Sequence, residues 1–136
     1  MTSKKDFPKS IESLCSIKTL KVYNNWMGWL SDQKGYSKNT IFSYSYDFKY
    51  FLNFLSSHIS SNNIEIVDFK DLKIRDFRSW LSYLKNNNPN LKARSLARSR
   101  ASIKSFYFYC ILIKKIKSSE IYNLASPKLP KSLPKA

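Results

Sequence analysis

Apolar side chains recur at intervals of three and four along most of the chain, which is the spacing of helices that bury one face. The first series predicts a helix that ends before Gly35, where a left-handed residue can follow a helix. The second series predicts a helix beginning at Ser37, whose hydroxyl can accept an amide of the first turn. The predicted buried positions are Leu20, Tyr23, Trp26, Met27, Trp29 and Leu30 in the first helix, and Ile41, Tyr44, Phe48, Phe51, Leu52 and Leu55 in the second.

Two further helices are predicted in the second half of the chain. One covers about residues 74–84 and the other about residues 93–113, with Pro89 in the asparagine-rich stretch between them. Residues 56–68 are predicted to form a loop in which His58 is solvated. The pattern therefore predicts an all-α fold built on four helices.

The domain organisation follows from where the pattern stops. Residues 1–16 are polar and include Pro8, so we expect a flexible N-terminal arm there. Residues 17–124 are expected to form one helical domain. Residues 125–136 carry three prolines with lysines between them, which predicts an extended linker.

The charge of the chain points to an anionic partner. The formal net charge is +15, and ten of these charges lie from Lys92 onward, where eleven cations face one acid. Nucleic acid, anionic lipid and an acidic protein all satisfy this charge. Because lysine greatly outnumbers arginine, as in proteins of AT-rich genomes, the position of each charge is more informative than the total.

Composition excludes several other classes. Two glycines in 136 residues disfavour a β-rich fold with many tight turns. Cys15 and Cys110 form no metal motif and no disulfide framework, so we expect free thiols in a reducing, cytoplasmic setting. No apolar run reaches the 18 or so residues of a membrane span, and the first residues lack a signal-peptide pattern.

The clearest candidate for chemistry is the segment LKARSLARSRASIKSF at residues 91–106. On a helical wheel its arginines and serines lie opposite the apolar positions, and an arginine fork suits phosphate or guanine. An ordinary solvated basic face is the alternative. Arg100 lies about 200° from Arg98, so we expect it at the edge of the core and away from any DNA. The candidate DNA-binding residues of this helix are Arg94, Ser95, Arg98 and Ser102.

The second predicted helix supplies another group of candidates. Amides at a helix N-terminus beside a hydroxyl and a lysine can seat a phosphate, although a plain helix cap is the alternative. Asp47 lies between the buried and polar faces, which favours a structural ion pair with an arginine of the last helix over catalysis. The candidate DNA-binding residues here are Ser37, Lys38, Asn39, Thr40, Ser43 and Tyr46.

No catalytic centre is predicted. The chain shows no metal-ligand spacing, no glycine-rich phosphate loop and no nucleophile paired with a base. We therefore predict no catalytic residues, no metal, no cofactor and no small-molecule ligand.

Several stretches resemble the N-terminal core-binding domain of Xer-type tyrosine recombinases. GYSKNTIFSYSYDFKYFLNFL resembles the first signature of that domain, DLKIRDFRSWLSYL its third helix and LKARSLARSRASIKSFYFYC its fourth, while SPKLPKSLPK resembles the linker to the catalytic domain. The match covers about residues 17–136 in unbroken order, and its wording leans towards the XerC branch over XerD. Departures occur at Ser45 and Tyr46, where the family often has basic residues, and at Arg100, where it usually has an apolar one.

The resemblance implies a four-helix SAM-like orthogonal bundle that clamps a double-stranded recombination site for strand exchange. It also implies that the catalytic residues lie in a further domain, that sister subunits form a tetramer on DNA, and that the role is chromosome dimer resolution. A phage or mobile-element integrase is the nearest alternative. A stand-alone basic DNA-binding module and a peripheral membrane module are the others, although the aromatic residues lie mainly at core positions.

Overall fold

The structure, a computed structural model, describes residues 8–125, and all of its regular elements within that range are helical. A single parallel bridge between Cys15 and Ile64 is the only strand-like pairing in the described range. The prediction of an all-α fold is confirmed. The helices are α1 (Ile17–Asp32), α2 (Lys38–Ile59), α3 (Ile66–Lys70), α4 (Ile74–Asn87) and α5 (Ala93–Leu112), with short 3₁₀ turns at Ile11–Ser13 and Glu120–Asn123.

Local signals set the boundary between α1 and α2. Gly35 has a φ of 64°, in the left-handed region that glycine adopts at no steric cost. Two residues later the Ser37 hydroxyl accepts the amide of Thr40 at 3.1 Å, which confirms the predicted N-cap. These two signals turn the chain sharply, so α1 and α2 pack against each other.

An aromatic core holds the long helices together. Phe48 of α2 is fully buried and its ring lies 5.2 Å from Tyr23 of α1 and 4.7 Å from Phe106 of α5. Trp26 closes the same cluster from α1, with its ring 5.3 Å from Phe106. Each such side chain contributes about 2–3 kcal/mol when it leaves water, so the cluster fixes α5 against both α1 and α2.

The predicted loop at residues 56–68 is wrong at both ends, where residues 56–59 belong to α2 and residues 66–68 to α3, and holds for residues 60–65 between them. The helix α2 continues to Ile59 and ends at Ser60, which has a φ of 56°. His58 is therefore helical; it is exposed, as predicted, but its Nε2 also lies 2.7 Å from Oδ1 of Asp76 on α4. Serine is only slightly unfavourable in a helix, and packing of the apolar residues around it outweighs that preference.

The predicted N-terminal arm is wrong for the described residues nearest α1. Ile11, Leu14 and Cys15 are buried, and the amide of Ile64 donates to the Leu14 carbonyl at 3.0 Å. The apolar residues are too few to show a helical pattern, but together they cover the core. The linker was predicted at residues 125–136. All of these except Ala125 lie outside the described residues.

Candidate nucleic-acid interface

Helices α2 and α5 meet around one buried carboxylate, Asp47, which is 4% exposed. Arg98 donates to both of its oxygens, from Nε at 2.9 Å and from Nη2 at 2.7 Å. The hydroxyls of Ser102 and Ser99 donate to it at 2.7 Å and 3.3 Å. Four donors thus surround an anion that would be costly to bury alone. The ion pair predicted between Asp47 and an arginine of the last helix is confirmed.

The Arg98 side chain lies at the edge of this network and is 40% exposed. Its hydrogen bonds to Asp47, which outweigh its partial burial, raise the pKa of the guanidinium above its usual value. A guanidinium has five N–H donors, and Asp47 takes two of them. The rest are available to a phosphate, but the neighbouring carboxylate offsets the charge of Arg98.

The predicted contact between Ser102 and DNA is wrong. Ser102 is fully buried, and its hydroxyl is hydrogen-bonded to Asp47. Ser105, from the same wheel face, accepts the indole N–H of Trp26 at 3.1 Å. The wheel treated this face as exposed, but α5 is covered on more than one side because both α1 and α2 pack against it.

The N-terminal half of α5 retains two of the predicted residues at the surface. Arg94 is exposed and Ser95 is half-buried. Ala97 and Ala101 are also exposed on this helix, so no long side chain separates its backbone from the surroundings at those points. This part of α5 can approach a polyanion closely and present a guanidinium to it.

The N-terminus of α2 brings four predicted residues together. Ser37, Lys38 and Asn39 are exposed and Thr40 is half-buried. The Ser37 hydroxyl donates to the Thr40 hydroxyl at 3.0 Å while it caps the helix. No hydrogen bond or ion pair within residues 8–125 joins this group to Arg94 or Ser95, so the candidates form two separate groups.

An aromatic stripe lies on α2, beginning one turn after its N-terminal residues. Tyr46 is 45% exposed, and its ring lies 4.6 Å from that of Tyr50 one turn further on. Phe42, one turn before Tyr46, is 71% exposed, and the sequence analysis missed it. Its spacing of four from Tyr46 was the available signal. Ser43 is half-buried beside the stripe.

The surface of α2 and α5 carries cations and no exposed acid. Asp47 is the only acidic residue of these two helices, and it is buried beneath Arg98. Lys38 and Arg94 are exposed on them, and Lys92 is exposed at the N-cap of α5. The two helices therefore present a positive surface that also contains hydroxyl and aromatic groups. We call the exposed parts of residues 37–50 and 92–98 the α2–α5 face.

The described residues also bear on two other possibilities, a metal site and a membrane-spanning helix. Residues 8–125 contain no group of three or more side chains placed to bind a metal ion. None of the helices described is both long and apolar enough to cross a bilayer.

The fold and this face define an all-α domain in which two helices, α2 and α5, present basic residues and no exposed acid. The model of the family described as Phage integrase, N-terminal SAM-like domain matches residues 23–113, and the chain belongs to that family. It is 37% identical over 115 residues to the tyrosine recombinase XerC of Rickettsia conorii, which is 85% of this chain and 37% of that protein. The resemblance to Xer-type tyrosine recombinases is confirmed.

Further relatives give the same picture. The tyrosine recombinase XerC of Rickettsia typhi is 34% identical over 123 residues, which covers 90% of this chain and 39% of the relative. The protein of the same name from Rickettsia canadensis is 35% identical over 116 residues, or 85% and 37% of the two chains. The chain thus spans less than two-fifths of the length of these relatives. No solved structure matches it significantly.

Proposed function

We propose that this chain supplies the DNA-binding, core-binding domain of a site-specific tyrosine recombinase. The observation that carries the proposal is the α2–α5 face, because both of its helices are free of exposed acid and their only carboxylate, Asp47, is buried. A duplex is the partner whose charge density suits such an extended basic surface. The names of the relatives supply the reaction class to which the domain would belong.

The face offers two kinds of contact to a duplex. Arg94, Lys38 and the amides at the start of α2 suit phosphate oxygens, which position a protein on DNA without reading its sequence. Phe42 and Tyr46 are exposed beside them and suit apolar contact with sugars or a thymine methyl group. Arg98 is held by Asp47 in one orientation, so it would meet the duplex already ordered.

In this proposal the domain clamps the recombination site while another part of the recombinase exchanges the strands. Sister subunits on the same DNA and a role in chromosome dimer resolution belong to the proposal, on the strength of the XerC relatives. The chain alone would bind DNA without nicking it, since its sequence pairs no nucleophile with a base.

Fluorescence anisotropy with a labelled duplex tests the proposal. Arg94→Ala should weaken binding about three- to tenfold and reduce the salt slope by about one, because one phosphate contact is lost. Arg78→Ala is the matched control, since Arg78 is exposed on α4 and lies outside the face. Equal losses in both variants would show that the charge acts without a defined face. Binding to anionic vesicles but not to duplex would replace the proposal with a membrane role.

A further inference from the structure

One arginine of α5 is buried and has no acidic partner among residues 8–125. Arg100 is 7% exposed, and its Nη2 donates to the carbonyl oxygens of Leu124 at 3.3 Å and Ala125 at 3.0 Å. Its Nη1 is buried and has no hydrogen-bond partner among the described residues. Burial lowers the pKa of the guanidinium below its usual value.

Packing alone does not account for an arginine at this position. A buried cation whose acceptors are neutral carbonyls loses more hydration energy than those hydrogen bonds return. A methionine would fill much of the same space without that cost. What the guanidinium provides here, and an apolar side chain cannot, is a hydrogen bond to the carbonyl oxygens of Leu124 and Ala125.

Those carbonyls belong to residues 122–125, which run antiparallel along α5. The Tyr122 hydroxyl donates to the Lys104 carbonyl at 3.4 Å, and the Lys104 ammonium lies 5.7 Å from the Tyr122 ring. One helical turn earlier on α5, Arg100 takes the next two carbonyls of the segment. Ile121, 1% exposed, anchors the start of the segment in the core.

We propose that Arg100 is a positioning residue that holds the segment after Ile121 in a fixed place along α5. Its Nη2 holds Leu124 and Ala125 against α5 by donating a hydrogen bond to each of their carbonyl oxygens. Two residues along a helix turn through 200°, so Arg100 and Arg98 point to opposite sides of α5. Leu124 and Ala125 therefore lie on the side of α5 away from Asp47 and the α2–α5 face.

Backbone order parameters from ¹⁵N relaxation test this without DNA, so the result is independent of the proposed function. In the native chain the amides of Leu124 and Ala125 should have order parameters near those of α5, about 0.85. In Arg100→Met, which keeps the apolar stem but has no donor, they should fall below about 0.6 while the amide of Ile121 stays ordered. Arg94→Met is the matched control and should leave all three unchanged.

Two results would overturn the proposal: a native Ala125 already below about 0.6, or an Arg100→Met variant in which Leu124 and Ala125 stay near 0.85. A thermal melt shows whether the variant has folded. Should it fail to fold, Arg100→Gln replaces it, since glutamine keeps a polar group but is too short to reach either carbonyl. The same fall in order is expected there, and its absence has the same meaning.

Discussion

At the scale of single residues, the carboxylate of Asp47 determines what Arg98 can do. Arg98→Ala removes two of the four donors to a carboxylate that stays buried. We expect the free energy of unfolding to fall by about 2–3 kcal/mol, at the low end for a broken buried pair because Arg98 is 40% exposed. Urea denaturation measures the loss.

Two further variants test whether the stability loss in Arg98→Ala comes from the unpaired carboxylate of Asp47. Arg94→Ala should change stability by less than about 0.5 kcal/mol, since Arg94 is exposed. Arg98→Ala combined with Asp47→Ala should recover part of the loss, because the unpaired buried charge is gone. An Arg98→Ala variant as stable as the native chain would contradict this account and leave Arg98 as a DNA contact alone.

A pH dependence follows from the contact between α2 and α4. Burial raises the pKa of Asp76, but hydrogen bonds from His58 and the Lys73 amide outweigh it, so the pKa lies below its ordinary value of 3.8. A lowered folded-state pKa contributes stability above the unfolded value, and this contribution is lost as the pH falls through the folded value. Asp76→Asn should therefore lower the melting temperature at pH 6 and make little difference at pH 2.

The control for this prediction is Asp71→Asn, because Asp71 is exposed and His58 pairs with Asp76 instead. Its melting curve should follow that of the native chain more closely at both pH values. A penalty for Asp76→Asn that is equal at pH 6 and pH 2 would assign the effect to lost packing or capping instead of charge.

At the scale of elements, two substitutions of Ser37 at the N-terminus of α2 distinguish a helix cap from a phosphate-binding site. Ser37→Ala should cost about 1 kcal/mol of stability, because the amide of Thr40 loses its acceptor. Ser37→Asp restores the acceptor and suits the positive end of the helix, so it should keep the native stability. If a phosphate sits there, the added charge in Ser37→Asp should also weaken duplex binding severalfold. Unchanged binding would make Ser37 a structural cap only.

Within α1, the element was predicted but its buried face only in part: Trp26 and Leu30 are buried as predicted. The predicted stripe centred on Tyr23 and Met27, which are half-buried, whereas Thr19 and Val22 are buried. The Thr19 hydroxyl donates to the carbonyl of Ile64 at 3.0 Å. A threonine counts as polar on a helical wheel, and only the chain that passes beside it supplies the acceptor that allows its burial.

At the scale of the whole molecule, the charge of +15 predicts a salt-dependent affinity. Neutralising about four to six phosphates gives a slope of log K against log salt of roughly −4 to −5. Anisotropy titrations over a range of salt concentrations measure it. A slope near zero would show that the lysine excess reflects composition and has no part in binding.

The sequence by itself determined about where the long helices lie and how the chain turns between α1 and α2. Apolar spacing and the Gly35 and Ser37 signals act within a few residues, so they can be read without knowing the fold. The same holds for the exposed positions Arg94 and Lys38, which lie near helix ends.

Only the tertiary structure decided which polar residues are buried. Ser102 and Arg98 share a wheel face, yet Ser102 is fully buried and Arg98 is partly exposed, because α2 covers one edge of that face and brings Asp47 to it. Arg100 likewise gained its partners from Leu124 and Ala125, 24 and 25 residues away. Periodicity shows that a side chain points away from the local core, but whether it then meets water depends on segments distant in sequence.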